Sequence, residues 1–220
     1  NVFGSSVSSA GDINGDGFDD VIVGAPRDTS EFYSGASFLI FGKASGFNAS
    51  QALSNLDGVS GFRLNGVAGD GAGHSVSSAG DINGDGFDDL IIGAPSLNAS
   101  YMVFGKASRF GAVLELSNLD GSDGFRLHGD GLTGWSVSSA GDVNGDGFDD
   151  VIVGAPSGSG SGPYSGVSYV VFGKPSDFSA ILELSDLDGS NGFRMNGVAE
   201  GNQSGNGVSA GDVNGDGFGD

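Results

Sequence analysis

The chain has 220 residues and a formal net charge of −20, which excludes nucleic acid and anionic membranes as simple electrostatic partners. Its 44 glycines exclude a mainly helical fold, because a glycine inside a helix costs about 1 kcal/mol relative to alanine, while its 16 phenylalanines favour a packed core over disorder. There is no cysteine, which excludes disulfides and cysteine-ligated zinc, and no apolar run reaches the ~20 residues of a membrane span.

The N-terminal third of the chain contains four short segments that read as β-strands. Residues 6–10 alternate weakly between apolar and polar side chains, and residues 20–25 form a continuous β-branched run, which is typical of a strand buried on both faces. Residues 36–42 have the same continuous character. Residues 61–66 alternate apolar and polar side chains, which predicts a half-exposed outer strand.

An acidic, glycine-rich decapeptide, GDINGDGFDD, lies between the first two predicted strands. Counted from Asp12, it carries side-chain oxygens at positions 1, 3, 5 and 9, and the backbone carbonyl of Phe18 at position 7. Oxygens at alternating positions of a tight loop converge on one point, and Ca²⁺ takes about six to eight such hard ligands. Since neighbouring carboxylates repel one another without a cation, the pattern predicts a calcium site. Asp19, at position 8, is predicted to point away from the ion.

The decapeptide occurs four times, beginning at Gly11, Gly80, Gly141 and Gly211. This recurrence disfavours a merely solvated acidic turn. An EF-hand is excluded because its loop needs a Glu at position 12, where this chain has an aliphatic residue (Val23, Ile92, Val153). Mg²⁺ prefers to keep its waters, and transition metals prefer His or Cys ligands, so both are disfavoured.

Up to four Ca²⁺ ions are therefore predicted, with five ligands in each loop. The predicted ligands are Asp12, Asn14, Asp16, Phe18 and Asp20; Asp81, Asn83, Asp85, Phe87 and Asp89; Asp142, Asn144, Asp146, Phe148 and Asp150; and Asp212, Asn214, Asp216, Phe218 and Asp220.

Other blocks repeat in step with the acidic motif. The tripeptides GAP and FGK and the blocks LSNLDG and GFRLNG recur, with small changes, in three successive copies. Spacing is constant from FGK to GFR and variable from GAP to FGK, so that residues 27–35 and 157–166 are predicted surface loops. The chain is thus interpreted as a single array of repeats at 1–69, 70–130 and 131–200, with a partial repeat at 201–220.

The repeat length predicts the fold class. Four short strands in a unit of about 60–70 residues are typical of one blade of a β-propeller, whereas solenoid coils are usually shorter, roughly 20–30 residues. We therefore predict an all-β fold, a β-propeller of four-stranded blades with calcium loops between strands, of which this chain carries a partial set.

Phe3-Gly4 precedes the first acidic motif and Gly24-Ala25-Pro26 follows it. In this order the elements resemble the FG-GAP repeat of integrin α-subunit propellers, and the FGK, LDG and GFRLNG blocks are closer still to the FG-GAP arrays of secreted bacterial, especially cyanobacterial, proteins. The resemblance implies FG-GAP blades with Ca²⁺ in the hairpin loop between the first two strands of each blade. It also implies a role in adhesion or recognition. The chain departs from the pattern in its later copies, where the FG pair is Ala72-Gly73 or Thr133-Gly134.

Two functions fit these features. The first is a calcium-binding extracellular repeat protein that acts in cell-surface adhesion or recognition, with a protein or carbohydrate ligand. The second is a structural component of an extracellular filament, sheath or surface layer, in which calcium-clamped repeats bind further copies of the chain. An enzyme is not expected, because the two histidines, His74 and His128, stand at variable positions of the repeat and no Ser/His/Asp set is recognisable. Asn48, Asn98 and Asn202 begin N-x-S sequons, whose glycosylation the sequence leaves open.

Overall fold

The computed structural model describes residues 4–27 and 33–219. These residues form fourteen β-strands and four short 3₁₀ turns. The strands are β1 (Ser6–Gly11), β2 (Asp20–Ala25), β3 (Ala36–Ile40), β4 (Gly61–Asn65), β5 (Ser75–Gly80), β6 (Asp89–Ala94), β7 (Ala99–Val103), β8 (Val113–Glu115), β9 (Gly124–His128), β10 (Ser136–Gly141), β11 (Asp150–Ala155), β12 (Val167–Val171), β13 (Ile181–Glu183) and β14 (Gly192–Asn196). The 3₁₀ turns lie at Leu53–Asn55, Pro95–Leu97, Leu116–Asn118 and Leu184–Asp186.

The strands are arranged in three sheets, and each sheet is one propeller blade. The strand orders are β1-β2-β3-β4-β8, β5-β6-β7-β9-β13 and β10-β11-β12-β14. The first four strands of each blade run antiparallel to their neighbours. The predicted fold class is confirmed: the chain is all-β and forms a partial β-propeller, and no sheet closes on itself within the described residues.

A fifth strand that the sequence pattern did not predict joins each of the first two blades. The strand β8 follows the third strand of the second blade but pairs in parallel with β4 of the first blade. In the same way β13 pairs in parallel with β9. Each of these two strands, called a strap below, therefore crosses from one blade to the outer strand of the blade before it.

The prediction that the second strand of a blade is buried on both faces is correct for β6 and β11, whose residues are all buried. It is wrong for β2, where Val21 is 44% exposed. The central blade packs with its inner strand β5 between β1 and β10. The first blade packs against a described neighbour on one face only, so that its other face remains open.

Most of the hydrophobic core lies between the blades. One buried cluster combines Ile22 and Leu39 of the first blade with Leu90 and Ile92 of the second, and another cluster joins the second blade to the third in the same way. The core therefore depends on adjacent blades, because a single sheet has no second layer of its own to cover its apolar face.

A phenylalanine next to each strap anchors it in the blade before. The ring of Phe110 stacks on that of Phe62 with 4.4 Å between the ring centroids, and Phe178 stacks on Phe125 at 4.7 Å. These aromatic pairs add to the burial of apolar area.

The connection between the first two blades is anchored by a buried carboxylate. Asp70 accepts hydrogen bonds from the backbone amides of Val67 and Ala72, both at 2.9 Å, and from the Tyr101 hydroxyl at 3.0 Å. Burial raises the pKa of Asp70 above its ordinary value. Such a fully satisfied buried group fixes the path of the chain between two blades.

Candidate metal centre

Three of the acidic loops connect the first two strands of a blade, and the fourth follows the last blade. A shift of register in each hairpin precedes the loop, and in the first blade it falls between Ser9 and Gly11. Gly11 has a φ of +66°, a conformation that favours glycine. The bulge turns the chain out of the sheet and into the loop.

The first loop folds its polar side chains back onto its own backbone. Asp12 accepts the amide of Asp16 on Oδ1 at 3.0 Å and the amide of Gly17 on Oδ2 at 2.8 Å. Asn14 Oδ1 accepts the amide of Asp16 at 2.8 Å, and Asp16 Oδ1 accepts the amide of Phe18 at 3.0 Å. The oxygens at positions 1, 3 and 5 are therefore held within one turn of the chain.

The other three loops repeat these hydrogen bonds. In each loop the position-1 carboxylate accepts the amides of positions 5 and 6, and the position-3 amide oxygen accepts the amide of position 5. The glycines at positions 4 and 6 have positive φ throughout, for example +73° at Gly15 and +86° at Gly17. The sequence pattern thus dictates one local structure four times.

The position-9 aspartates, Asp20, Asp89 and Asp150, are buried at the start of the second strand of each blade. Asp20 accepts the amide of Ile13 at 3.2 Å and the amide of Gly42 at 2.7 Å. The corresponding donors are Ile82 and Gly105 for Asp89, and Val143 and Gly173 for Asp150.

The glycine of the FGK tripeptide is a site residue that the sequence reasoning missed. A Cβ at Gly42 would stand 2.4 Å from the carbonyl oxygen of Asp19, so only glycine lets this backbone approach the loop and donate to Asp20. The signal was present in the sequence, because FGK recurs in step with the acidic motif.

Burial makes the position-9 carboxylates hard to ionise. It raises the pKa of Asp20 and of Asp150 to about 6 and that of Asp89 to about 8, while the backbone donors lower these values and the nearby carboxylates at positions 1 and 5 raise them further. A positive charge in the loop would relieve both the burial penalty and the repulsion. The electrostatics of the loops therefore favour a cation.

Across residues 4–27 and 33–219, no three His, Cys, Asp or Glu side chains stand close enough together to hold a metal ion. The structure brings the predicted ligands of each loop into one turn but does not bring three carboxylates to a common point. The donor set itself fits Ca²⁺, because every side-chain donor is an oxygen. Asp220, the last predicted ligand, lies outside the described residues.

Each of the two histidines contacts a side chain from the following repeat. The ring of His74 lies 4.4 Å from that of Trp135 on the next blade, and burial lowers the pKa of His74. His128 Nδ1 lies 2.8 Å from Glu183 Oε2, across the pairing of β9 with its strap. Both contacts join adjacent blades.

Comparison with known proteins gives a family and several relatives. The FG-GAP repeat model matches residues 3–40, 72–113 and 133–171, more than half of the chain. The chain is 35% identical to integrin alpha-PS5 of Drosophila melanogaster over 162 residues, which are 70% of this chain and 15% of the relative. It is 31% identical to integrin alpha-3 of Cricetulus griseus over 155 residues, 70% of this chain and 14% of that relative.

A third relative is named as an enzyme. The chain is 29% identical to phosphatidylinositol-glycan-specific phospholipase D of Homo sapiens over 178 residues, 79% of this chain and 21% of the relative. The chain thus spans only a small part of each of these proteins. Among its described residues there is no helix long and apolar enough to cross a membrane.

Proposed function

Since this chain belongs to the FG-GAP repeat family, we propose that it is a calcium-binding repeat protein that acts outside the cell or at its surface in adhesion or recognition. Calcium would be held in the four acidic loops by the residues at positions 1, 3, 5, 7 and 9. Its role there is to neutralise clustered carboxylates and so stabilise a fold that has no disulfides.

One observation carries the calcium assignment. All four loops turn the oxygens of positions 1, 3 and 5 inward with the same hydrogen bonds, and in the three loops within blades a buried aspartate closes the turn. A merely solvated acidic turn gives no reason to bury a carboxylate at position 9. Ionising these buried groups stays unfavourable even though each accepts two backbone amides. Ca²⁺ is the partner that an all-oxygen set of ligands favours.

The long loops between the second and third strands support recognition. Tyr33 and Tyr164 end two of these loops at equivalent positions and are 67% and 61% exposed. Both have positive φ, 58° and 53°, which is a strained conformation for a bulky residue. An exposed tyrosine offers a large apolar ring and a hydroxyl to a protein or carbohydrate ligand. The integrin relatives are consistent with such a role. This chain covers only 21% of the phospholipase, so no enzymatic activity is inferred from that relative.

A second candidate is a structural filament. The outer strands β4 and β9 are each paired with a strap, whereas β14 pairs only with β12 among the described residues. Residues 49–53, which correspond to the strap of the later repeats, are largely exposed and form no strand. In the first two blades the outer strand accepts a strap in parallel, and the same strand addition between chains is the contact that a filament requires.

Thermal unfolding and sedimentation velocity, each in about 10 mM Ca²⁺ and in excess chelator, test both candidates. With an expected Kd of about 10⁻⁴–10⁻³ M, calcium stabilises the fold by about 1–3 kcal/mol for each site that fills. Asp85→Asn should reduce this gain. Asp186→Asn should not, because the first two copies already carry Asn55 and Asn118 at its position.

Identical melting curves with calcium and chelator would refute the calcium assignment. A discrete particle in both conditions supports the adhesion or recognition role. Assemblies that form in calcium and dissolve in chelator support the filament instead.

A further inference from the structure

Adjacent acidic loops are joined by the aspartate at position 8, which is not among the predicted ligands. Asp88 Oδ2 accepts the backbone amide of Asp12 in the preceding loop at 2.7 Å, and Asp149 Oδ2 accepts that of Asp81 at 2.9 Å. In return the amide of Asp88 donates to the carbonyl of Asp12 at 3.3 Å, and that of Asp149 to the carbonyl of Asp81 at 3.2 Å. Each position-8 residue thus holds the position-1 residue of its neighbour from both sides.

The glycines that precede Asp12 and Asp81 pack closely against this pair of hydrogen bonds, called the clasp below. A Cβ on Gly11 would stand 2.2 Å from Asp88 Oδ2, and one on Gly80 would stand 2.1 Å from Asp149 Oδ2. At Gly11 and Gly80 a side chain would therefore meet the neighbouring loop's carboxylate, in addition to the positive φ that favours glycine there.

The phenylalanine at position 7 strengthens the same contact. A Cβ on Gly15 would stand 2.3 Å from the ring of Phe87, and a Cβ on Gly84 would stand at the same distance from the ring of Phe148. The loops of adjacent blades are thus stacked, with the ring of one loop lying on the backbone of the loop before it.

Through its position in the chain, Asp88 connects the proposed ligands of two adjacent loops. Phe87 and Asp89, on either side of it, are proposed ligands of the second loop, while its side chain holds Asp12, the first proposed ligand of the first loop. We propose that Asp88 and Asp149 are positioning residues that couple cation binding in adjacent loops. This inference rests on the proposed calcium function. A cation that orders residues 87–89 also fixes Asp12, so the first loop pays less entropy when it binds, and the coupling is reciprocal.

The chain contains two natural comparisons. In the fourth loop Gly219 takes the position of Asp88, and its amide still donates to the carbonyl of Asp142 at 3.0 Å. That junction keeps the backbone half of the clasp without the carboxylate half. In the first loop the position-8 residue is Asp19, which is exposed. Asp19→Ala therefore removes the same charge from the same motif without touching a clasp.

Amide hydrogen exchange in chelator tests the clasp without any metal. Asp88→Ala removes the acceptor, and we expect exchange at the Asp12 amide to rise about fivefold, the effect of one hydrogen bond. Asp88→Asn keeps an oxygen acceptor and should restore most of the protection, while Asp19→Ala should leave it unchanged. Unchanged exchange in Asp88→Ala, or an equal rise in Asp19→Ala, would overturn the clasp.

A calcium titration followed by NMR tests the coupling. The amides of Gly17 and Gly86 report on the first and second loops, because each donates to its own position-1 carboxylate, at 2.8 and 2.9 Å. In the wild type the two loops should fill cooperatively. In Asp88→Ala the first loop should bind about fivefold more weakly, and Asp88→Asn, which also lacks the charge, should restore the coupling.

The outcomes separate this inference from the proposed function. If calcium shifts both reporters but Asp88→Ala and Asp19→Ala titrate alike, the coupling is wrong and the calcium function stands. If the wild type does not respond to calcium, the proposed function and the coupling both fail, and the exchange comparison still decides whether the clasp exists.

Discussion

The carboxyl group of Asp89 shows how burial changes the chemistry of a single residue. The nine residues before Asp89 are identical to those before Asp20 and differ at one position from those before Asp150, yet burial raises its pKa to about 8 rather than about 6. Its loop belongs to the central blade, which is covered on both faces. The same decapeptide therefore gives different ionisation in different places.

We predict that this residue makes the metal-free fold less stable as the pH rises. The folded chain binds the proton of Asp89 more tightly than the unfolded chain, whose carboxyl has the ordinary pKa of 3.8. The contribution is therefore fully present below pH 3.8 and is lost as the pH rises toward about 8. Urea unfolding in chelator between about pH 5 and about pH 8 should show the decline. Asp89→Asn should make the slope shallower, and the remaining slope comes from Asp20 and Asp150, whose pKa is about 6.

Asp57→Asn is the matched control for this experiment. Backbone amides of Val59 and Ser60 lower the pKa of Asp57, so that this group titrates below the tested range and the slope should not change. A stability that rises with pH in the wild type, or a slope as steep in Asp89→Asn as in the wild type, would contradict the assignment.

At the scale of elements, the sequence predicted the four strands of a blade but not the straps. The antiparallel strands can be read from local runs, and the predicted alternation of the outer strand is confirmed, with Phe62 and Leu64 buried and Arg63 and Asn65 half-buried. A strap has only three residues, two of them exposed, and its partner is another blade's outer strand. Its stability comes from that partner, which no local pattern reveals.

Comparison of the three repeats indicates which side chain holds a strap in place. Residues 112–116 read AVLEL and residues 180–184 read AILEL, whereas residues 49–53 read ASQAL and form no strand. Leu114 packs against the core between the first two blades, and Val113 is half exposed.

We predict that Leu114→Gln, which copies the first repeat, destabilises the fold by about 1–2 kcal/mol, because a partly buried apolar side chain is lost. Val113→Ser, also copied from the first repeat, should change stability by no more than about 0.5 kcal/mol. Urea unfolding gives both values, and amide exchange in β4 should rise only in the first variant. Equal effects of the two changes would mean that the strap is not held by Leu114.

At the scale of the whole molecule, the blades depend on one another. The two larger buried clusters, the stacked phenylalanines and the clasps join one blade to the next. Stability in such an array is mostly a sum of interfaces between neighbours. The chain therefore gains its core only when two blades are in contact.

We predict that a fragment of residues 1–69, the first repeat, does not unfold cooperatively. A fragment of residues 1–130, which contains two blades and the first strap, should unfold cooperatively. Circular dichroism during urea unfolding measures this directly. The control is the full chain under the same conditions. A sharp transition for the single repeat would show that one blade has a sufficient core of its own.

The sequence by itself determined the repeated strands, the all-β propeller class and the conformation of the acidic loops. These depend on hydrogen bonds and side-chain alternation within about ten residues, so that the pattern alone specifies them. The tertiary structure decided the straps, the clasps, the open face of β2 and the raised pKa values of the buried aspartates. These depend on neighbours that are distant in the chain, as Asp88 is 76 residues from Asp12 and Asp149 is 68 residues from Asp81. Only the packing of one blade on the next brings such residues together, because burial and contact between blades are properties of the assembled fold.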